Sequence, residues 1–160
     1  MAWSTARTWK LREAALRGRD AILEDRGRVC SRAREVRVIM KKVLVVDDSV
    51  TVRQQVRRVL ERAGFEVAEA EDGQDAVAMV NAETFSGVVC DVNMPRMGGV
   101  EFVETVKRDV RHASLPILML TTEGSPELIR RAKAAGVKGW IVKPFKADQV
   151  VAAMTKLTAA

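Results

Sequence analysis

The feature that most constrains this chain is an alternation of short apolar runs with amphipathic segments, which begins at residue 42 and continues to the C-terminus. Each apolar run is bounded by polar or turn-forming residues, as buried strands are. Between the runs, apolar side chains recur at helical spacing, for example at Val52, Val56 and Leu60. The predicted strands are 42–46, 65–70, 87–91, 116–120 and 139–142, each followed by a helix.

Strict alternation of strands and helices with short connections favours right-handed crossovers and a parallel sheet that is covered on both faces. Five such units predict an α/β fold, a (βα)5 doubly wound, flavodoxin-like sheet with strand order 2-1-3-4-5. The third helix is expected to continue through Val110. The fourth is expected to bury Leu128, Ile129, Ala132 and Ala135. In such a sheet, ligands bind at the carboxyl ends of the strands, here near strands one and three.

Polar residues at four strand ends are expected to meet at that edge. Asp47 and Asp48 follow strand one, Asp91 ends strand three, Thr121 follows strand four and Lys143 follows strand five. Carboxylates ~4 Å apart repel by about 4 kcal/mol per pair at an effective dielectric of about 20, so the cluster must hold a proton or a cation. Oxygen ligands with room for water suit Mg²⁺. Together with the ammonium and hydroxyl donors, this arrangement predicts a carboxylate that accepts a phosphoryl group.

The motifs at these strand ends resemble those of the response-regulator receiver family, and in detail those of single-domain chemotaxis regulators of the CheY type. The resemblance covers roughly residue 40 to the C-terminus. It also implies a cis bond between Lys143 and Pro144, although most X–Pro bonds are trans. The matching motifs are VLVVDDS (43–49), CDVNMP (90–95), LTTEG (120–124) and GWIVKPF (139–145).

The resemblance implies a role for each residue of the carboxylate cluster. Asp91 would be the phosphoacceptor. Asp48 and Asp91 would bind Mg²⁺ directly, and Asp47 would act largely through water. Asn93 would contribute its backbone carbonyl to the same ion.

The resemblance also implies which residues read out phosphorylation. Thr121 and Lys143 would contact the phosphoryl oxygens, and Trp140 would be the switch aromatic that turns inward when the threonine moves. The family usually has tyrosine or phenylalanine at that position. Asn93 and Glu123 lie two residues beyond Asp91 and Thr121, where attacking water must pass, and are expected to tune dephosphorylation.

The expected function is that of a single-domain response regulator in a two-component phosphorelay. A CheA-like sensor histidine kinase would donate the phosphoryl group, and a phosphatase would be a further partner. The output would be a protein such as a flagellar motor switch; a phosphorelay intermediate or a regulator of pili or other motility is the alternative. An aspartate-nucleophile phosphatase is disfavoured because Asn93 stands where such an enzyme needs an acid–base carboxylate. The protein is therefore expected not to be a turnover enzyme.

Residues 1–39 form a basic N-terminal extension with ten Lys or Arg against five acidic residues, which accounts for +5 of the net charge of +6. Three interpretations stay open: a disordered arm that meets nucleic acid or an acidic surface, a weak helix docked on the domain, or upstream sequence absent from the natural protein. Nucleic-acid binding is the least favoured, and a start at Met40 would leave the receiver domain, 40–160, intact.

The chain contains no apolar run near ~18 residues and no secretory signal, so a cytoplasmic location without a membrane partner is expected.

Overall fold

The structure, a computed structural model, describes residues 40–159; the predictions made for residues 1–39 lie outside this part of the chain. Within it, strands and helices alternate around one parallel sheet with the order β2-β1-β3-β4-β5, which confirms the predicted fold class and strand order. No helix of the described residues is both long and apolar enough to cross a membrane. The strands are β1 Lys42–Val46, β2 Glu66–Ala70, β3 Gly87–Cys90, β4 Ile117–Thr121 and β5 Gly139–Val142, and the helices are α1 Val50–Arg62, α2 Gly73–Ala82, α3 Gly99–Arg108, α4 Pro126–Ala135 and α5 Ala147–Leu157.

The core lies on both faces of the sheet, because successive side chains of a strand point to opposite faces. In β1, Leu44 and Val46 pack in the cluster that includes α2, α3 and α4. Val43 and Val45 pack in the other cluster, with α1 and α5. The inner strands are therefore apolar except for Lys42 at the start of β1 and Thr121 at the end of β4, as is usual for a parallel sheet that is buried on both sides.

The third helix is shorter than predicted. It ends at Arg108, and Val110 lies in a 3₁₀ turn, Val110–His112, with 86% of its surface exposed. The carboxylate of Asp109 accepts a hydrogen bond from the backbone N–H of Arg111 at 2.9 Å, and this starts the new turn. Val110 follows Val106 at helical spacing, so the apolar period alone could not show the break.

The fourth helix is also less buried than predicted. Of the four residues expected to face the core, only Ala132 is buried. Leu128, Ile129 and Ala135 are half-buried. The sequence pattern correctly identified the inner face of the helix but not how closely its neighbours cover it.

Candidate phosphoacceptor site

The three carboxylates predicted to share one edge of the sheet do lie together. Asp47 and Asp48 follow β1, and Asp91 follows β3, which pairs with β1 in parallel. One oxygen from each side chain lies within 4.8 Å of the other two. Asp47 and Asp91 are buried, with 2% and 7% of their surfaces exposed, whereas Asp48 is exposed. The site therefore has a buried floor and one open side.

The backbone around Asp91 is closely packed. Its N–H donates to the carbonyl of Val46 at 2.9 Å. Its carbonyl oxygen faces Gly99, where a Cβ would lie 1.9 Å from that oxygen. Position 99 therefore requires glycine, because any side chain would push the first turn of α3 away from the end of β3.

Lys143 supplies the cation within the carboxylate cluster. Its Nζ lies 2.7 Å from Asp47 Oδ2 and 3.4 Å from Asp91 Oδ1. Among the described residues, Asp91 Oδ1 is buried without a hydrogen-bond partner, so the longer contact is an ion pair only. The backbone N–H of Lys143 donates to the carbonyl of Thr121 at 2.7 Å, and the Lys143–Pro144 bond is cis, as the resemblance implied.

The charge state of Asp91 follows from this environment. Burial raises the pKa of Asp91, the nearby ammonium of Lys143 lowers it in part, and the carboxylate of Asp47 raises it further, so the net pKa lies above its ordinary value. The ionised form is thus incompletely stabilised by the protein. An additional cation would favour it.

The donor set fits a hard divalent cation. It consists of carboxylate oxygens only, Asp91 Oδ1 is buried with no hydrogen-bond partner among residues 40–159, and Asp48 is exposed. Mg²⁺ binds through a few carboxylates and retains several waters. Asp47, Asp48 and Asp91 could hold such an ion; the role assigned to the Asn93 carbonyl stays a prediction.

The two residues predicted to tune dephosphorylation contact each other. Asn93 Nδ2 donates to Glu123 Oε2 at 3.0 Å, which joins the loop after β3 to the loop after β4. Thr121 is fully buried, and its hydroxyl oxygen accepts the backbone N–H of Glu123 at 3.1 Å. The threonine and the two loop residues therefore form one hydrogen-bonded group at the ends of β3 and β4.

The predicted switch aromatic lies partly in the core. Trp140 is half-buried in β5 and packs against the cluster that includes α2, α3 and α4. Its indole N–H is buried, with no hydrogen-bond partner among the described residues. The switch role of Trp140 stays a prediction.

Sequence reasoning missed Arg53, whose side chain contacts the backbone of the turn formed by Asp47 and Asp48, here called the acidic turn. Its Nη1 donates to the backbone carbonyl of Asp47 at 2.7 Å and to that of Asp48 at 3.4 Å. An arginine in a surface helix is normally exposed. A signal was nevertheless present, because Arg53 shares the helical spacing of Val56 and Leu60, the buried face of α1.

Comparison with known proteins shows to which family the chain belongs. The family model of the response regulator receiver domain matches residues 43–155. Chemotaxis protein CheY of Pseudomonas aeruginosa is 42% identical over 108 residues, which cover 67% of this chain and 87% of that protein. Chemotaxis protein CheY-3 of Vibrio cholerae is 40% identical over 117 residues, which cover 72% of this chain and 90% of that protein. The solved structure of V. cholerae chemotaxis protein CheY4 matches with a TM-score of 0.71 at 45% identity, covering 74% of this chain and 98% of that one. The chain therefore belongs to the response regulator receiver domain family, as a CheY-like member.

Proposed function

We propose that Asp91 accepts a phosphoryl group from the phosphohistidine of a sensor histidine kinase, with Mg²⁺ as cofactor. The observation that carries this proposal is the position of Asp91 Oδ1. That oxygen is buried, lacks a hydrogen-bond partner among the described residues, and lies beside two other carboxylates and 3.4 Å from the Lys143 ammonium.

In the proposed step, a carboxylate oxygen of Asp91 attacks the phosphorus atom. The P–O bond of an acyl phosphate forms as the P–N bond to the histidine breaks, and the electron pair of that bond returns to the imidazole. Asp47, Asp48 and Asp91 would hold Mg²⁺, which when bound neutralises charge on the phosphoryl oxygens. Lys143 would exchange its contact with Asp47 for one with a phosphoryl oxygen, and Thr121 would turn its hydroxyl toward another.

Phosphorylation would add about −1.5 to −2 charge at Asp91. New contacts to Thr121 and Lys143 would pull on the ends of β4 and β5, which are already linked by the hydrogen bond from the Lys143 N–H to the Thr121 carbonyl. The surface formed by α4, β5 and α5 would change and dock on an output protein. The kinship with proteins named for chemotaxis supports a flagellar motor switch as that output. Its alternatives are a phosphorelay intermediate and a regulator of other motility such as pili.

The same chemistry argues against turnover of an external substrate. A phosphatase with an aspartate nucleophile needs a second acid–base carboxylate, and the residue two positions after Asp91 is Asn93. Its amide donates to Glu123 and carries no proton that it could transfer to a leaving group. The proposed protein therefore cycles its own phosphoryl group, with Asn93 and Glu123 affecting the access of water.

The test is intact-mass spectrometry after incubation with acetyl phosphate and Mg²⁺. The wild-type protein should gain one phosphoryl group, and the gain should disappear in EDTA and in Asp91→Asn. Asp109→Asn, which changes a carboxylate outside the site, is the matched control and should behave as wild type. Phosphorylation that persists in Asp91→Asn, or none in the wild type, would contradict the proposal.

A further inference from the structure

The acidic turn after β1 accepts backbone hydrogen bonds from a buried guanidinium. The Arg53 side chain is 7% exposed and approaches from the first turns of α1. Its Nη1 donates to the carbonyls of Asp47 and Asp48, at 2.7 and 3.4 Å. Two of the three side chains that form the candidate cation site, those of Asp47 and Asp48, therefore project from a backbone whose carbonyls accept hydrogen bonds from a single group.

The same guanidinium is anchored on the neighbouring strand. Its Nε donates to Glu69 Oε2 of β2 at 3.3 Å, and its Nη2 lies 3.9 Å from Glu71 Oε1. A second arginine, Arg57, also reaches Glu69, at 3.1 Å, but is 46% exposed and pairs with Glu61 on its other side. Of the two arginines that contact Glu69, Arg53 also donates to the carbonyls of Asp47 and Asp48, whereas Arg57 also donates to Glu61.

We propose that Arg53 is a positioning residue for the divalent cation: it ties the turn that carries Asp47 and Asp48 to β2 and so fixes the spacing of their carboxylates. This inference rests on the proposed Mg²⁺-dependent function. A guanidinium offers five N–H donors in a rigid fork, whereas a lysine ammonium is a point charge on a flexible stem. Lysine at position 53 would keep the positive charge but could not hold both the carbonyls and Glu69 in fixed directions.

The test compares Mg²⁺ affinity in Arg53→Lys and in the matched control Arg57→Lys, measured by isothermal titration calorimetry on the full chain. Substitutions of groups that orient metal ligands typically weaken affinity by about 10–100-fold. We expect the Mg²⁺ Kd of Arg53→Lys to rise at least about tenfold on this basis, and that of Arg57→Lys to stay at the wild-type value. Thermal unfolding without Mg²⁺ is recorded in parallel, and affinity is measured well below each midpoint.

The outcomes separate positioning from general stabilisation. A lower midpoint with an unchanged Mg²⁺ Kd in Arg53→Lys would overturn the inference, because a purely structural role would have that effect. If Arg53→Lys does not fold, Glu69→Gln replaces it, since Glu69 is only partly buried and its substitution loosens the anchor of Arg53. An unchanged Kd in Glu69→Gln would likewise overturn the inference. Absence of both Mg²⁺ binding and phosphorylation in the wild type would overturn the proposed function itself, which distinguishes the two failures.

Discussion

Two regions of the molecule, α3 with β3 and α4 with β5, differ in how many of their residues are buried. Helices α3 and α4 both have ten residues, but α3 buries five of them and α4 buries one. Strand β3 is buried throughout, whereas no residue of β5 is fully buried. Segments with few buried contacts open at a lower cost in free energy. The α4–β5 side, which we propose changes on phosphorylation, is therefore the side that the core stabilises least.

The loops on the two sides repeat this contrast. The loop after β3 is attached to the start of α2, because the Arg96 guanidinium binds both Asp72 and Asp75 and the Gly73 N–H donates to the Met97 carbonyl at 3.1 Å. Residues 122–125 of the loop after β4 are all exposed. The loop after β3 is thus attached to α2, whereas the loop after β4 is exposed and is linked to the loop after β3 by the Asn93–Glu123 hydrogen bond.

The largest effect is expected when one apolar side chain in each helix is truncated, and this tests the contrast directly. Phe102 of α3 is fully buried, and Phe102→Ala should lower the free energy of unfolding by about 3–5 kcal/mol. Leu128 of α4 is only half-buried, and Leu128→Ala should cost roughly 1 kcal/mol, as a typical substitution does. Urea unfolding of both variants checks the difference. Equal losses would show that the two helices contribute alike and would refute the comparison.

A smaller effect is expected from the helix caps. Asp72 is 1% exposed, and its carboxylate accepts the N–H groups of Gln74 and Asp75 at 2.8 and 3.1 Å. Ser125 is exposed and accepts one N–H, that of Leu128, at 3.4 Å. Because cap substitutions cost about 0.5–2 kcal/mol, Asp72→Ala should lie at the upper end of that range and Ser125→Ala at the lower end.

The Asp72 effect should also depend on pH. Burial opposes ionisation of Asp72, but the Asp75 N–H, Arg96 and the Gln74 N–H outweigh it and hold its pKa below the ordinary value. Its contribution to stability is therefore present above the unfolded-state pKa of about 3.9 and is lost as the pH falls through the lower folded-state value. Thermal unfolding from pH 7 downward should show wild type and Asp72→Ala converging at acid pH. Parallel curves would contradict this assignment.

A change of opposite sign is expected at Asp91, which lies between the two regions. Because its folded-state pKa is raised, the folded protein loses stability as the pH rises from about 3.9 through that higher value. Asp91→Asn removes this penalty and should therefore raise the free energy of unfolding at pH 7 without Mg²⁺. The advantage should shrink near pH 4. Calorimetric unfolding in EDTA at both values measures it, and a less stable Asn variant at pH 7 would contradict the expectation.

Much of the site could be predicted because it depends on strand order. Once apolar runs and helical periods define a parallel sheet, Asp47, Asp48 and Asp91 must follow neighbouring strands at one edge, and their proximity follows from topology. The Asn93–Glu123 contact and the carbonyl contacts of Arg53 could not be predicted in this way. They depend on the directions of long side chains and on loop paths, which neither apolar spacing nor helix caps specify.

The sequence alone determined the alternation of elements, the sheet order and the residues at the strand ends, because the periods of 2.0 and 3.6 residues and the turn residues are local properties of the chain. The tertiary structure alone decided that α3 ends before Val110, that α4 lies shallowly on the sheet, and that a buried Arg53 holds the acidic turn. These features depend on how much surface neighbouring elements cover and on which polar groups lose water together. Both quantities arise only when distant parts of the chain pack against each other.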